Sequence, residues 1–427
     1  MTHQYAQPFF EKAHHFRSPT PLYLTKNTSS LAAMTALDVQ TLTRPRLKIA
    51  IVTETWTPEI NGVAMTLLQL CQGLQRQGHQ ILLIRPQQKQ SCHRFVPNRE
   101  CLVKAQTIPR YSGLQFGWPQ YQKVATALKH FNADVVHIVT EGPLGLAALY
   151  AAKHLQIAIS SGFHSPFQDF SRFFDLAFLM KPIQHYLRWF HNQTQLTCVP
   201  SRDTEQALLA FGVYCPMVLI GRGVDTQRFS PQYRSQQCRA AWGVDAATTV
   251  LLYVGRLSPE KQVDQLIAHY LQLRDQRKDF CMVVVGDGPD LARLQALAQG
   301  QVIFTGALRD QALATAYASA DVFVFASQVE TFGNVVLEAM ASALPVVAYD
   351  YACAQQYVQQ GRSGWRIPLK QSQAFQRCLL QLPDLTQLRE MGQYAAQRVQ
   401  NVGWQHVVQD FERALYQVKY AYQMQLQ

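Results

Sequence analysis

From Leu47 onward the chain alternates two patterns. Short runs rich in apolar and β-branched residues recur at Leu47–Thr53, Gln80–Ile84, Val135–Val139, Ile157–Ser160 and Leu196–Val199. Runs this short, bounded by polar and turn residues, predict buried strands. Between them apolar residues fall three and four apart, over about 63–77, over 144–154 and along a longer stretch, 166–193, which predicts helices. Gly78 ends the first helix, and the Ser201 hydroxyl caps the helix that follows Leu196–Val199. A second series starts at Thr249–Gly255 and continues through Phe280–Val285, Val302–Phe304, Val322–Phe325 and Val346–Ala348. Strand–helix alternation of this kind predicts the α/β class, with parallel, doubly wound sheets.

The two series are separated by Gly221–Pro231, rich in glycine and turn formers, which predicts a hinge. Four segments follow: 1–44, without a persistent period, as a flexible tail; 45–220 as a first domain; 221–400 as a second; and 401–427 as an aromatic helix that packs back toward the first domain. Met34 offers an alternative start. Two domains suit a chain of 427 residues.

Candidate chemistry concentrates after Val322–Phe325. In Glu330-Thr-Phe-Gly-Asn-Val-Val-Leu-Glu338 two carboxylates bracket a loop-to-helix junction. Glu330 falls at the carboxyl end of a parallel strand, where open α/β sheets bind ligands. The N–H groups of Gly333, Asn334 and Val335 open the next helix and suit a diphosphate. Glu338, a turn further in, is placed for the hydroxyls of a ribose. In Val254-Gly-Arg-Leu-Ser-Pro-Glu-Lys261, Arg256 follows a strand and Pro259 starts a helix, so Lys261 falls in its first turn, against the macrodipole. Such a placement points to function, here the neutralisation of a diphosphate by Arg256 and Lys261.

Composition narrows the partners. A net charge of +11 and a pI near 9.2 favour an anionic partner: a nucleotide, a nucleic acid or an acidic membrane surface. Without a basic block, a zinc-finger spacing or an RNA-binding signature, nucleic acid ranks last. The nine cysteines are scattered, which fits a reducing cytoplasm, and no secretory signal or membrane span is expected. No Asp-x-Asp pair is evident and Asp350 stands alone, so no metal is expected.

The E-x7-E block, the Gly-Arg-Leu-Ser-Pro-Glu-Lys block and the Gly-Val-Asp hinge together resemble the retaining glycosyltransferases of family 4, over roughly residues 47–425. The resemblance implies the GT-B fold, two Rossmann-like domains facing a cleft, with the nucleotide sugar held by the second. It implies that Arg256 and Lys261 hold the donor phosphates, that Gly62 meets the diphosphate across the cleft and that His164 lines the donor sugar. The loop containing Gly306 then borders the base. Gly286, in Gly286-Asp-Gly-Pro289, is either a ligand contact or a tight turn; without a third glycine a nicotinamide site is not expected. Glu141, in Thr140-Glu-Gly-Pro, either binds an acceptor hydroxyl or caps a helix.

The implied activity is transfer of a hexose, mannose or glucose, from GDP-mannose or a UDP-hexose to a lipid or glycan. No cofactor is implied. With no evident protein nucleophile, the expected mechanism is attack on the face that the diphosphate leaves, with Glu330 holding sugar hydroxyls. The stretch 170–191, dense in aromatics and interleaved with Arg172, Lys181 and Arg188, suits an interfacial helix, with Trp189 and Phe190 inserting. A core helix fits the same stretch. Peripheral attachment to the inner face of the cell membrane is the corresponding expectation. The alternatives are a nucleotide-sugar epimerase of the same fold and a non-catalytic nucleotide-sugar-binding protein.

Overall fold

The computed structural model describes residues 45–57, 62–88, 95–107, 115–164 and 180–426. The expected tail, 1–44, lies outside them, as does 165–179, so the helix expected over 166–193 is described only as Met180–His191.

The first series folds into a seven-stranded sheet in the order β3-β2-β1-β6-β7-β8-β9, parallel throughout. Its strands are β1 (Lys48–Val52), β2 (Gln80–Pro86), β3 (Arg99–Val103), β6 (Val135–Ile138), β7 (Ala158–Gly162), β8 (Leu196–Val199) and β9 (Met217–Leu219). A short antiparallel pair, β4 (Ala105–Thr107) with β5 (Gln115–Gly117), lies apart from it. The second series forms a six-stranded parallel sheet in the order β12-β11-β10-β13-β14-β15, from β10 (Thr249–Val254), β11 (Phe280–Val285), β12 (Val302–Gly306), β13 (Val322–Phe325), β14 (Val346–Tyr349) and β15 (Gly364–Ile367). Helices cover both faces, so β10, β11, β13 and β14 are buried at every position. That is why these strands read as continuous apolar runs.

In each sheet the chain winds outward in both directions from one strand. β1 pairs with β2 on one side and β6 on the other; β10 pairs with β11 and β13. The connections therefore diverge at the carboxyl ends of β1/β6 and β10/β13, and such a divergence leaves a crevice open for ligands.

Strands β3, β4, β5, β9 and β15 were not expected from the pattern. Each is an edge strand or a short one, and polar residues such as Arg99, Glu100 and Arg366 interrupt its apolar period. Ser201 does cap its helix, Arg202–Phe211, accepting from Thr204 N–H at 3.3 Å. One local expectation is corrected. Pro259–Lys261 forms a separate 3-10 turn, Gln262 takes the left-handed conformation (φ 53°), and the helix proper is Val263–Gln276. Lys261 thus precedes the helix instead of lying in its first turn.

The last helix, Trp404–Leu426, lies on the first sheet's side of the molecule. Val407, Val408, Phe411 and Leu415 share a core cluster with Ile49, Ile51 and Leu67. A Cβ on Gly73 would fall 2.3 Å from Val408 Cγ2, so the helix Gly62–Arg76 must carry glycine there. Polar ties flank this seam: His79 Nε2 to Glu412 at 2.7 Å and Lys419 Nζ to Asp134 at 2.8 Å. The chain crosses between the sheets beside Gly223, where a Cβ would sit 2.7 Å from Trp404 N, and Val224 N–H donates to Val402 O at 2.9 Å.

Phe411, 1% exposed, packs edge-on against the His137 ring at 4.8 Å. Phe411→Ala is expected to destabilise the protein by about 3–5 kcal/mol, whereas Tyr420→Ala on the exposed side should stay within about 0.5 kcal/mol. Urea titration followed by tryptophan fluorescence checks both; similar losses at the two positions would show that the helix is not anchored through Phe411.

Candidate active site

On the second sheet, Gly255-Arg256 leaves β10 and the loop 326–333 leaves β13. Gly333 adopts φ 89°, a left-handed conformation that suits glycine, and opens the helix Asn334–Ala341. The N–H groups of a first helical turn have no intrahelical acceptors, and here they face the switch point of the sheet. Lys261 Nζ lies 2.5 Å from Glu330 Oε1, with both side chains largely buried. Tyr351 Oη donates to the Glu330 carbonyl at 2.6 Å, fixing the loop from the other side. Arg256 is exposed, and its guanidinium has no hydrogen-bond or ion-pair partner among the described residues; its carbonyl accepts from Tyr253 Oη at 3.1 Å. Two cations, one carboxylate and a helix N-terminus thus sit at the ends of neighbouring strands.

Glu338 is half-buried on the inner face of the same helix. Its Oε2 accepts from Tyr317 Oη at 2.9 Å. Burial raises its carboxyl above the usual range, opposed by the Tyr317 hydroxyl and the charge of Arg228. The strand-end glycines are tied together: Gly255 N–H donates to Val285 O, and Gly286 N–H to Gly306 O, each at 3.0 Å. Gly286 has φ 152°, and a Cβ there would meet Gly255 O at 1.9 Å. Its requirement is close packing of backbones, the tight-turn reading of the two left open by the sequence. Gly306 (φ 73°) and Gly62, which opens the helix Gly62–Arg76, both have open space where a Cβ would be.

On the first sheet, three side chains stand at the carboxyl ends of adjacent strands: Glu54 after β1, Glu141 after β6 and His164 after β7. Glu54 was not singled out from the sequence. Its N–H donates to Thr140 Oγ1 and its Oε1 accepts from Leu144 N–H, both at 3.0 Å. Glu54, not Glu141, therefore caps the helix Pro143–His154, whose own N-cap is Gly142. A Cβ on Gly142 would lie 2.1 Å from Glu54 Oε2. Burial raises the Glu54 carboxyl to about 7, with the Leu144 and Gly117 N–H groups opposing and the neighbouring Glu141 charge adding. Glu141 is oriented differently: His191 Nε2 lies 3.1 Å from its Oε1, and His191 Nδ1 lies 3.0 Å from Ser161 Oγ. Its capping role is thereby excluded, since the cap belongs to Glu54.

His164 joins the two halves. Thr331 Oγ1, next to Glu330, donates to the His164 carbonyl at 3.1 Å, and Arg222 Nη2 lies 3.4 Å from His164 Nδ1. Burial holds the imidazole neutral well below its ordinary range, with the Arg222 charge and then His137 and His191 adding. A guanidinium only donates, so Nδ1 is the acceptor and the ring proton resides on Nε2. Of the expected donor-side residues, Glu330 and Lys261 are thereby linked to His164, through Thr331. Phe190 is corrected: it is fully buried and takes no part in an outer surface, whereas Trp189 is 37% exposed. Among the described residues no helix is long and apolar enough to cross a membrane, and no cluster of three metal-binding side chains occurs.

Comparison with known proteins agrees with this fold. The Glycosyltransferase Family 4 domain matches residues 60–228, and the domain described as Glycosyl transferases group 1 matches residues 235–399. A GDP-mannose-dependent alpha-mannosyltransferase of Mycobacterium tuberculosis is 34% identical over 332 residues, 76% of this chain and 84% of that protein. The alpha-monoglucosyldiacylglycerol synthase of Streptococcus pneumoniae is 26% identical, covering 71% of each chain. Among solved structures, the sucrose-phosphate synthase of Thermosynechococcus elongatus superposes with a TM-score of 0.71 at 20% identity, over 88% of this chain and 100% of that one. The fold is GT-B, and the relatives named are transferases and synthases, not epimerases. The chain belongs to the family 4 glycosyltransferases.

Proposed function

We propose that the protein transfers mannose from GDP-mannose to a hydroxyl of a membrane glycerolipid, with retention at the anomeric carbon. The observation that carries this reading is the Lys261–Glu330 pair just before the helix Asn334–Ala341, with Arg256 unpaired among the described residues. The donor follows the mycobacterial relative, whose name specifies GDP-mannose, and the acceptor follows the pneumococcal one, whose name specifies a diacylglycerol. In this reading residues 45–220 hold the acceptor and 221–400 the donor, and UDP-glucose is the donor to compare first.

Binding of the diphosphate gives Lys261 a second anionic partner and frees Glu330 to accept from the sugar hydroxyls. Arg256 and the N–H groups of Gly333, Asn334 and Val335 share the phosphate charge, which grows as the glycosidic bond breaks. His164 Nε2–H donates to a sugar oxygen, Gly62 and Gly306 leave room for diphosphate and base, and Glu338 takes the ribose diol. The acceptor oxygen forms its bond to the anomeric carbon on the face from which the diphosphate leaves, and its proton passes to the departing phosphate oxygen. Glu141, oriented by His191, holds the acceptor hydroxyl. The exposed rings of Tyr150 and Trp189 lie 6.2 Å apart, and Lys181 and Arg188 on the helix that carries Trp189 are exposed as well, which suits peripheral attachment to the anionic, cytoplasmic face of a membrane. Product analysis with labelled GDP-mannose, UDP-glucose and diacylglycerol vesicles tests the reading: a labelled glycolipid supports it, and hydrolysis alone overturns it.

Lys261→Ala and Arg256→Ala are each expected to lower turnover by 10²–10³, corresponding to about 2.7–4 kcal/mol of transition-state stabilisation, with the melting temperature little changed. Near-wild-type turnover in either variant would remove that residue from the phosphate site.

Glu54 supplies a pH signature. Because its folded carboxyl is raised from 4.5 to about 7, its contribution to stability is fully present below the unfolded value and is lost as pH rises through about 7. The melting-temperature difference between wild type and Glu54→Gln should therefore move against wild type between pH 5 and pH 8. A constant difference would mean that Glu54 ionises as an ordinary carboxyl.

Wild type should co-sediment with anionic vesicles at low salt and dissociate as salt rises, because each surface cation contributes about 1 kcal/mol and is screened within a Debye length. Lys181→Glu with Arg188→Glu should abolish sedimentation while sparing nucleotide affinity. Indifference of wild type to anionic vesicles would move the acceptor to a soluble glycan.

A further inference from the structure

Arg222, in the hinge after β9, is only 4% exposed. Its guanidinium makes a single hydrogen bond among the described residues, the 3.4 Å contact to His164 Nδ1, and no carboxylate pairs with it. Burial lowers its pKa only to about 10, so it is cationic at neutral pH, and the imidazole it touches is neutral. A second buried arginine shows what a structural one looks like in this fold. Arg239, 1% exposed, pairs with Asp321 Oδ2 at 2.9 Å and donates to the carbonyls of Ser319, Asp245 and Thr248 at 2.9, 2.6 and 2.7 Å. A charge buried without a counter-charge destabilises the protein that carries it. Among the described residues Arg222 is held in that condition, at the start of the contact path Arg222–His164–Thr331–Glu330 that leads to Lys261.

We propose that Arg222 is an anion-binding residue of the active site, a third cation that receives a phosphoryl oxyanion entering the cleft between the two halves. The fork of guanidinium donors matches two phosphoryl oxygens at once. Its position beside His164, on the sugar side of the cleft, directs it to the phosphate adjoining the transferred sugar, and this rests on the reading of the site as one for a nucleotide sugar. The counter-charge that the described residues do not supply then arrives with the substrate. The same oxyanion chemistry also occurs in a phosphorylated lipid headgroup, and the test separates the two sources.

Isothermal titration of the full chain with GDP, UDP, GMP, UMP and glycerol 3-phosphate, for wild type, Arg222→Lys and Arg222→Gln, decides it. The expected result is a loss of at least tenfold in affinity for the preferred nucleoside diphosphate in Arg222→Gln, less than twofold for its monophosphate, and an intermediate loss in Arg222→Lys. The ligand-free melting temperature of Arg222→Gln should equal or exceed that of wild type, since an uncompensated charge has been removed; a purely structural arginine would give a fall. Loss confined to glycerol 3-phosphate assigns the oxyanion to the acceptor headgroup. Undiminished affinity for all five probes, or equal losses for mono- and diphosphate together with a lowered ligand-free melting temperature, overturns the inference. If wild type binds neither GDP nor UDP, the donor reading fails, and the glycerol 3-phosphate titration alone decides Arg222, an absence of wild-type binding there counting against it.

Discussion

Everything in the cleft depends on one constraint of parallel sheets. A crossover connection must return to the starting edge, so chains that leave a central strand in opposite directions part at its carboxyl end. The protein has this divergence twice, at β1/β6 and at β10/β13. Strand ends at and beside these points each contribute one chemistry-bearing residue: Glu54, Glu141 and His164 on one sheet, Arg256 and Glu330 on the other. Rigid strands set their spacing and loops supply their identity.

Charge is distributed unevenly between the two rims. The second sheet's rim carries cations and a helix N-terminus, partly neutralised by Glu330, whose bond to Lys261 is 2.5 Å. The first sheet's rim carries carboxylates, one of them near half-protonation at neutral pH because burial favours its uncharged form. In the proposed reading the anionic donor is matched to the cationic second rim and the hydroxyl-bearing acceptor to the first. The neutral His164, with its proton on Nε2, stands at the seam.

Residues whose meaning is local were legible in the sequence. The E-x7-E block and the Arg256/Lys261 block each lie within a single strand–turn–helix, so spacing alone located them at the carboxyl ends of β13 and β10. Apolar runs identified the buried strands for the same reason. Residues whose meaning is non-local were not. Glu54 matters because β1 lies against β6, which brings it to Leu144, 90 positions away. Arg222 sat inside a stretch recognised as turn-forming, and its burial against His164, 58 positions away, is not visible in the local pattern. Phe190 looked like an insertion residue because an amphipathic helix shows its apolar side in sequence without saying what covers it. Lys261 missed the helix because a left-handed Gln262 intervenes, which no side-chain pattern announces.

The seam between Gly73 and Val408 has a consequence for biosynthesis. The first half is translated first, yet the cluster formed by Ile49, Ile51 and Leu67 is closed by Val407, Val408, Phe411 and Leu415 from the final helix. While the ribosome makes the intervening segments, that apolar face has no cover. The second half closes its own core without the last helix, so it is free to fold before the first half is complete. Emergence of the C-terminus is therefore the event that seals the N-terminal half, and any pause or truncation before Trp404 leaves the nascent enzyme with exposed apolar surface open to chaperones and to aggregation.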